Sequence, residues 1–309
     1  MQKMRKAQFE FGWLFALIIG AMILFMAVFF AGKIFKTGTY LTETEILRNF
    51  DIILNPFSSV GSIASLTLSK PVEMPYQTEL KIGCIESGTN QGQEIMLRQF
   101  EKGKAGEWTS YTIRNKYIFA PSNLSGKTFW VFSKPLELPW RVDDLIYMIS
   151  EDYCFIGAPS NIQDELNRIN ASKIHLDDCT ANMKEVCFYP TSCNDIQVNY
   201  ASKTVSKIAE PNYYFADDAT MYAAIFSDKK IYDCNMQRIL SRLKIQAEIY
   251  SAWASSLTGC VNNMLPVTLS ALSTDIDNAK AHPYTTPNLA SRASYAESLD
   301  SYDCPIIKK

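Results

Sequence analysis

The sequence predicts an α+β protein in which an N-terminal transmembrane helix is followed by a β-rich and then helix-rich ectodomain stapled by disulfides. Three observations predict this class. The first is an uncharged apolar run over Phe11–Ala31, and the second is a change from turn-separated β-type segments to helical spacing in the second half of the chain. The third is that all eight cysteines follow the apolar run. At 309 residues the chain has room for one large or two medium domains.

Charge and composition exclude several classes of protein. The chain has 30 basic and 32 acidic residues, and this balance argues against a nucleic-acid partner, which usually requires a basic surface. The chain has only two histidines, which excludes any site that needs three histidine side chains. A hydrophobic content of 47% excludes wholesale disorder, because enough apolar side chain is present to form a core. We therefore expect a mostly folded chain without bound nucleic acid.

The first two segments are a cytoplasmic N-terminus over residues 1–10 and the predicted transmembrane helix over Phe11–Ala31. A helix of about 20 apolar residues spans a bilayer core of about 30 Å. Lys3, Arg5 and Lys6 precede the run and favour a cytoplasmic N-terminus. This predicts a single-pass protein of the cell membrane, with the lipid bilayer as a partner and the C-terminal domain extracytoplasmic. The alternative is a cleaved secretory signal, whose apolar region is shorter.

The next two segments are a juxtamembrane stretch with an amphipathic helix over residues 32–56 and a β-rich ectodomain half over 57–142. Thr42-Glu43-Thr44-Glu45 has capping-box spacing ahead of an apolar stripe, and Asn55-Pro56 ends the helix. In 57–142, runs of β-branched and aromatic residues alternate with turn residues. The predicted strands are Ile63–Leu68, Thr78–Cys84, Glu94–Phe100, Trp108–Ile113, Tyr117–Ala120 and Thr128–Phe132.

The remaining segments are a mixed α/β to helical half over residues 143–281 and an irregular tail over 282–309. Helices are predicted over Val142–Glu151, Ser160–Asn170 and Asn235–Leu257, the last of which has the longest run of helical apolar spacing. Shorter strands are predicted between them. The tail is rich in Pro, Ser, Thr and Asn, which predicts irregular chain.

The residues before the apolar run resemble a processing signal. Arg5-Lys6-Ala7-Gln8-Phe9-Glu10 places a basic pair, a small residue, Gln and an acid at the membrane edge. This pattern resembles the class III signal peptides of archaeal type IV pilin-like proteins. The resemblance implies cleavage after Ala7, which leaves Gln8 as the first mature residue and Glu10 as the third, whereas pilins usually place the acid at the fifth. A plain anchor with Glu10 as an interfacial charge is the alternative.

The N-terminus followed by a large Cys-containing ectodomain also resembles single-pass surface proteins of uncharacterised family in archaeal genomes. That resemblance implies a location and no activity.

The cysteines predict disulfides, because an even number on one side of the apolar run is typical of an oxidising compartment. We expect Cys234 and Cys260 to tie the two ends of the long predicted helix to other segments, since about 25 helical residues hold its ends about 39 Å apart. A zinc site at Cys179, Cys187, Cys193 and His175 is the alternative, but the close cysteine pair of such sites is missing. We predict no metal and no cofactor. The disulfide candidates are Cys84, Cys154, Cys179, Cys187, Cys193, Cys234, Cys260 and Cys304.

Catalytic motifs are missing from the sequence, which has no HExxH, GxSxG, phosphate loop, dinucleotide fingerprint or CxxC. We expect His175 and His282 to be surface or hydrogen-bonded histidines. The acidic pairs Asp143-Asp144, Asp177-Asp178 and Asp217-Asp218 offer carboxylates for general acid–base catalysis or for calcium, but helix capping explains them without such chemistry. We therefore predict no catalytic residue. Asn123 and Asn170 each begin an N-glycosylation acceptor motif.

These features together predict a membrane-anchored extracytoplasmic protein, a non-enzymatic structural, adhesive or assembly component of the cell envelope. Its partners are then other envelope proteins or copies of itself. Three alternatives stay open: a minor type IV pilin-like filament subunit, an envelope-polymer hydrolase that uses paired carboxylates, and a solute-binding ectodomain. Two convergent carboxylates in a pocket favour the hydrolase, and a deep apolar cleft favours the solute-binding domain.

Overall fold

The computed structural model describes residues 15–29, 70–86, 91–101, 103–138, 140–256 and 264–281. The chain divides into two compact units, residues 1–46 and 47–309. In the first unit, the described residues form a helix, α1, over 15–29. In the second unit, the described residues form a mixed α/β structure with two sheets, helices and disulfide bonds.

The predicted transmembrane helix is the part of the fold class that is wrong. Among the described residues, none of the helices combines the length and apolar character needed to cross a membrane. The prediction over Phe11–Ala31 therefore rested on apolar character along a longer stretch than the helix that the structure describes.

The first sheet is largely antiparallel. Within the described residues its strands run in the order β3-β2-β1-β6-β7-β5, with β4 also paired to β2. β5 is the exception, since it lies parallel to β7. The strands are β1 Lys70–Ile85, β2 Gly92–Glu101, β3 Lys104–Ala105, β4 Thr109–Ile113, β5 Tyr117–Phe119, β6 Asn123–Glu137 and β7 Arg141–Ile149.

β7 occupies the place of a predicted helix. The sequence predicts a helix over Val142–Glu151, but Arg141–Ile149 pairs as a strand between β6 and β5. The side chains from Asp144 to Ile149 are all buried. A strand covered on both faces shows a continuous apolar run instead of alternation. Periodicity alone does not separate such a run from a buried helix, which explains the wrong assignment.

The second sheet is mixed. Within the described residues its order is β13-β12-β11-β10-β8-β9. β9, β8, β10 and β11 run parallel to one another, whereas β12 is antiparallel to both of its neighbours, β11 and β13. Helix α2, Ser160–Ile169, provides the crossover that the parallel pair β8 and β9 requires. The strands are β8 Tyr153–Ile156, β9 Ile174–Leu176, β10 Lys184–Phe188, β11 Ile196–Asn199, β12 Thr204–Lys207 and β13 Tyr213–Tyr214.

The core forms around helix α3, Asp218–Phe226, in which every residue from Ala219 to Phe226 is buried. α3 contacts strands of both sheets. Its Phe226 packs edge-on against Phe132 of the first sheet at 5.3 Å and Tyr153 of the second at 5.0 Å between ring centroids. Such pairs contribute about 0.5–1.5 kcal/mol each beyond the area that they bury. Aromatic side chains on α3 therefore join the two sheets.

Two longer helices complete the described part of this unit. α4, Lys229–Ser256, contacts β1, β5 and β7 of the first sheet, and α5, Met264–Ala281, packs along α4. Leu240 and Leu243 of α4 and Leu269 and Leu272 of α5 are fully buried in the shared core. The region predicted to be helical from sequence therefore packs against the first sheet.

Candidate functional site

Three disulfides form among the described cysteines, which confirms the prediction that the chain carries disulfide bonds. They join Cys84 to Cys234, Cys154 to Cys179 and Cys187 to Cys193. Their Cα atoms are 6.1, 5.5 and 5.8 Å apart, within the usual range for such bonds. Cys260 and Cys304 lie outside the described residues.

The Cys84–Cys234 bond connects β1 of the first sheet to the beginning of α4. The next residue, Asn235, adds a second link to the first sheet, because its side-chain amide donates to the carbonyl oxygen of Ile118 in β5 at 2.8 Å. The other two bonds are local to the second sheet. The bond at Cys234 therefore holds one end of the long helix to another segment, and the expectation for Cys260 falls outside the described residues.

The disulfides also remove the ligands of the zinc alternative. Cys179, Cys187 and Cys193 each share a disulfide and so offer no thiolate. His175 instead lies with its Nε2 3.3 Å from Oδ1 of Asp152, whose other oxygen, Oδ2, accepts from Lys173 at 2.7 Å. In the described parts of the chain, no group of three metal-ligating side chains is arranged to hold an ion. His282 lies outside those parts.

Asp217 and Asp218 mark the beginning of α3. The Asp217 carboxylate accepts from the backbone N–H of Thr220 at 2.9 Å, and the Thr220 hydroxyl accepts from the Asp217 N–H, which completes a capping box. Burial raises the pKa of Asp217, while its hydrogen bonds with Thr220 lower it. Asp218 accepts a short hydrogen bond from the Tyr200 hydroxyl. Both acids therefore have structural partners.

The other acidic pairs lie apart from each other. Both carboxylate oxygens of Asp144 accept from Nη2 of Arg141, at 2.8 and 2.9 Å, and Asp143 pairs with Arg242 at 2.9 Å. Asp177 accepts from the Gly157 N–H at 3.2 Å, and Asp178 is exposed. The structure does not bring the three pairs to one site.

The glycosylation candidates are both exposed on the second unit. Asn123 is the first residue of β6. Asn170 is the C-cap of α2, where it adopts the left-handed conformation with φ of 47°. Their side chains are therefore accessible to a modifying enzyme. The signal-peptidase candidates Ala7, Gln8 and Glu10 lie outside the described residues.

A buried polar cluster joins β6 of the first sheet to the helices α2 and α3. The Lys134 ammonium on β6 forms a short ion pair with Glu165 on α2, and both side chains are about one-tenth exposed. The Tyr222 hydroxyl on α3 donates to the second Glu165 oxygen at 3.1 Å. A buried ion pair offsets its loss of hydration only when further hydrogen bonds satisfy its polar atoms, and the Tyr222 hydroxyl provides one here. Its three members link β6, α2 and α3, which is a structural role.

A small pocket of mixed charge lies beside the second sheet, with a volume of about 220 Å³. Lys207 at the end of β12 is central to it and donates to the Ser227 carbonyl oxygen at 2.6 Å. That carbonyl follows the last turn of α3, where a cation is favourable for the helix dipole. The other charged residues that line the pocket are Lys184, Asp195, Glu210 and Asp228.

Burial lowers the pKa of Lys207 to about 8. The negative charges of Glu210 and Asp228 raise this pKa, whereas repulsion from Lys184 lowers it further. An amine with such a pKa is partly neutral at mildly alkaline pH, where it has a lone pair for a nucleophilic or basic role. In the folded chain, that amine is already engaged with Ser227 and lies 4.7 Å from the centroid of the Tyr213 ring. The contacts thus give Lys207 a structural role at the end of α3.

Sequence patterns do not indicate a role for Lys134, Glu165 or Lys207. Lys134 and Glu165 are 31 residues apart, and their pairing depends on the packing of α2 on the first sheet. Lys207 ends a short strand, where a lysine is usually solvent-exposed. Comparison with protein-family models, with curated proteins and with solved structures finds no match for this chain.

Proposed function

We propose that the chain is a non-enzymatic structural and assembly component of the cell envelope, with its disulfide-bonded unit outside the cytoplasm. The observation that carries this proposal is α1. All 15 of its described residues are uncharged and exposed. An exposed apolar surface of this kind is typical of a contact site. We assign the contact to α1 of further copies of this chain, which makes the helix an assembly element.

The disulfides support the extracytoplasmic location. Three bonds within one unit persist in an oxidising compartment and are rare where thiols are kept reduced. The partners found for the candidate acidic residues support a non-enzymatic role, since Asp143, Asp144, Asp177, Asp217 and Asp218 all form structural contacts.

Sedimentation of the full chain in aqueous buffer tests the assembly role. We expect a defined multimer for the natural sequence and a monomer for Leu24→Glu, because a carboxylate on α1 must be desolvated in the contact. Ile208→Glu is the matched control, since Ile208 is 66% exposed and Leu24 is 68% exposed. A monomeric natural chain, or equal loss of assembly in both variants, would contradict the proposal.

A second candidate in the same class is a minor type IV pilin-like filament subunit. The observation that favours it is the position of α1, which follows the pilin-like motif at Ala7, Gln8 and Glu10 and has no charged residue. In that case Glu10 pairs with the new amino terminus of a neighbouring subunit. N-terminal sequencing of the native protein tests it: a chain that begins at Gln8 supports a filament subunit, and a chain that begins at Met1 excludes it.

A further inference from the structure

A second pocket, of about 350 Å³, lies between α4 and the turn that joins β4 to β5. One wall is a single face of α4, because its residues are spaced at i, i+3, i+4 and i+7. The opposite wall is the turn itself, which contributes Arg114 and Asn115. The residues of the helical wall are Arg238, Ser241, Arg242 and Ile245.

The charge of this pocket is positive. Among the described residues that line it, the charged side chains are Arg114, Arg238 and Arg242, with no acid. Asp143 offsets one of these charges, since its Oδ2 lies 2.9 Å from Nη1 of Arg242. Three arginines less one aspartate leave an excess of two positive charges. We call these residues the arginine pocket.

Arg238 is the buried member of the arginine pocket, with 3% of its surface exposed. Its guanidinium donates to the carbonyl oxygens of Arg114 at 2.7 Å and Lys116 at 3.2 Å, and to the side-chain oxygen of Asn235 at 2.8 Å. These acceptors are neutral. Burial lowers the pKa of Arg238, and the attraction of Tyr117 and Asp143 only partly opposes it. A buried cation with neutral partners gains free energy from a nearby anion.

Neutral hydrogen-bond donors complete the pocket. The Gln246 side-chain oxygen accepts from the indole N–H of Trp140 at 3.0 Å, and this orientation leaves the Gln246 NH₂ group as a donor. Asn115 adds a second amide. Guanidinium groups match the geometry of carboxylate and phosphate oxygens, because their N–H donors form a planar fork. Arg114 is exposed, so a ligand reaches it from solvent.

We propose that the arginine pocket binds an oxyanion, either a carboxylate or a phosphate, carried by a small polar molecule. Arg114 and Arg242 contact the oxyanion, while Arg238 holds the turn that presents Arg114. The site goes beyond the proposed function, because a structural component of the envelope needs no small-molecule ligand and assembles through α1.

Calorimetric titration of the full chain tests this site with three probes: inorganic phosphate, D-glucuronate and, as the uncharged control, D-glucose. We expect saturable binding of at least one of the two anions and none of glucose. Binding of phosphate alone assigns a phosphate ligand, binding of glucuronate alone assigns a carboxylate, and binding of both assigns a shared oxyanion site. The absence of saturable binding for both anions overturns the proposal.

Variants locate the binding. Arg114→Gln and Arg242→Gln each remove a charged donor and should weaken the affinity about tenfold or more. Arg168→Gln, on exposed α2 surface outside the pocket, should leave it unchanged. Arg242→Gln also removes the ion pair with Asp143, which can destabilise the fold. Arg114→Gln avoids this problem, because Arg114 is exposed and its variant is expected to fold. Unchanged affinity in Arg114→Gln, or an equal loss in Arg168→Gln, overturns the assignment. The result is independent of assembly, which Leu24→Glu tests.

Discussion

Individual charges in the second unit are held by specific partners, and Lys134 with Glu165 is the most buried ion pair among the described residues. Removal of one partner leaves the other charge buried and unpaired. We expect Lys134→Met to lower the free energy of unfolding by about 3–5 kcal/mol. The double variant Lys134→Met/Glu165→Leu should recover most of the loss, because neither charge then remains in the core. Urea denaturation measures both.

The surface pair of Lys184 with Glu151 is the control for this measurement, since those side chains are 43% and 56% exposed. Lys184→Met should cost less than about 1 kcal/mol. A loss of the same size in Lys134→Met would show that the buried pair does not stabilise the contact between α2 and the first sheet.

Lys207 predicts a pH-dependent stability. Its pKa falls from 10.5 in an exposed chain to about 8 in the folded protein. Between these values the unfolded chain binds more protons, so this group makes the folded state more stable as the pH rises. The free energy of unfolding of the natural chain minus that of Lys207→Met should therefore increase from about pH 7.5 to about pH 9.5. A constant or falling difference would contradict the lowered pKa.

Helix α3 contacts strands of both sheets, and a capping box holds its first turn. Asp217→Ala removes the side chain that accepts from Thr220 and should lower the free energy of unfolding by about 0.5–2 kcal/mol. Asp178→Ala, in an exposed loop, is the matched control and should change it by less than about 0.5 kcal/mol. Thermal unfolding compares the two variants.

Sequence patterns predict the helices and strands that have one buried face and one exposed face. β2 was predicted to within two residues at each end, whereas α4 begins six residues before its predicted start. Both elements were recognised because β2 alternates buried and partly exposed side chains and α4 carries apolar residues at helical spacing. β7 was not predicted, because its buried run has no alternation. Neither the arginine pocket nor the Lys134–Glu165 pair was predicted, since both depend on contacts between elements distant in sequence. Disulfide pairing likewise depends on the tertiary fold.

For the second unit as a whole, the bond between Cys84 and Cys234 closes the longest loop of the three disulfides described, since the two residues are separated by 150 positions. In the chain-entropy account, a disulfide stabilises by restricting the unfolded chain, and more so for a longer loop. We expect Cys84→Ser/Cys234→Ser to lower the free energy of unfolding by about 2–4 kcal/mol. Cys187→Ser/Cys193→Ser opens a separation of only 6 residues and should cost less. A greater loss in the second variant would contradict this order.

We propose that the second unit belongs to an oxidising compartment as part of an envelope component. The most direct measurement is mass spectrometry of peptides from the native protein, alkylated and digested without reduction. We predict three cross-linked peptide pairs, which join Cys84 to Cys234, Cys154 to Cys179 and Cys187 to Cys193. Alkylation of these six cysteines without prior reduction would contradict the account.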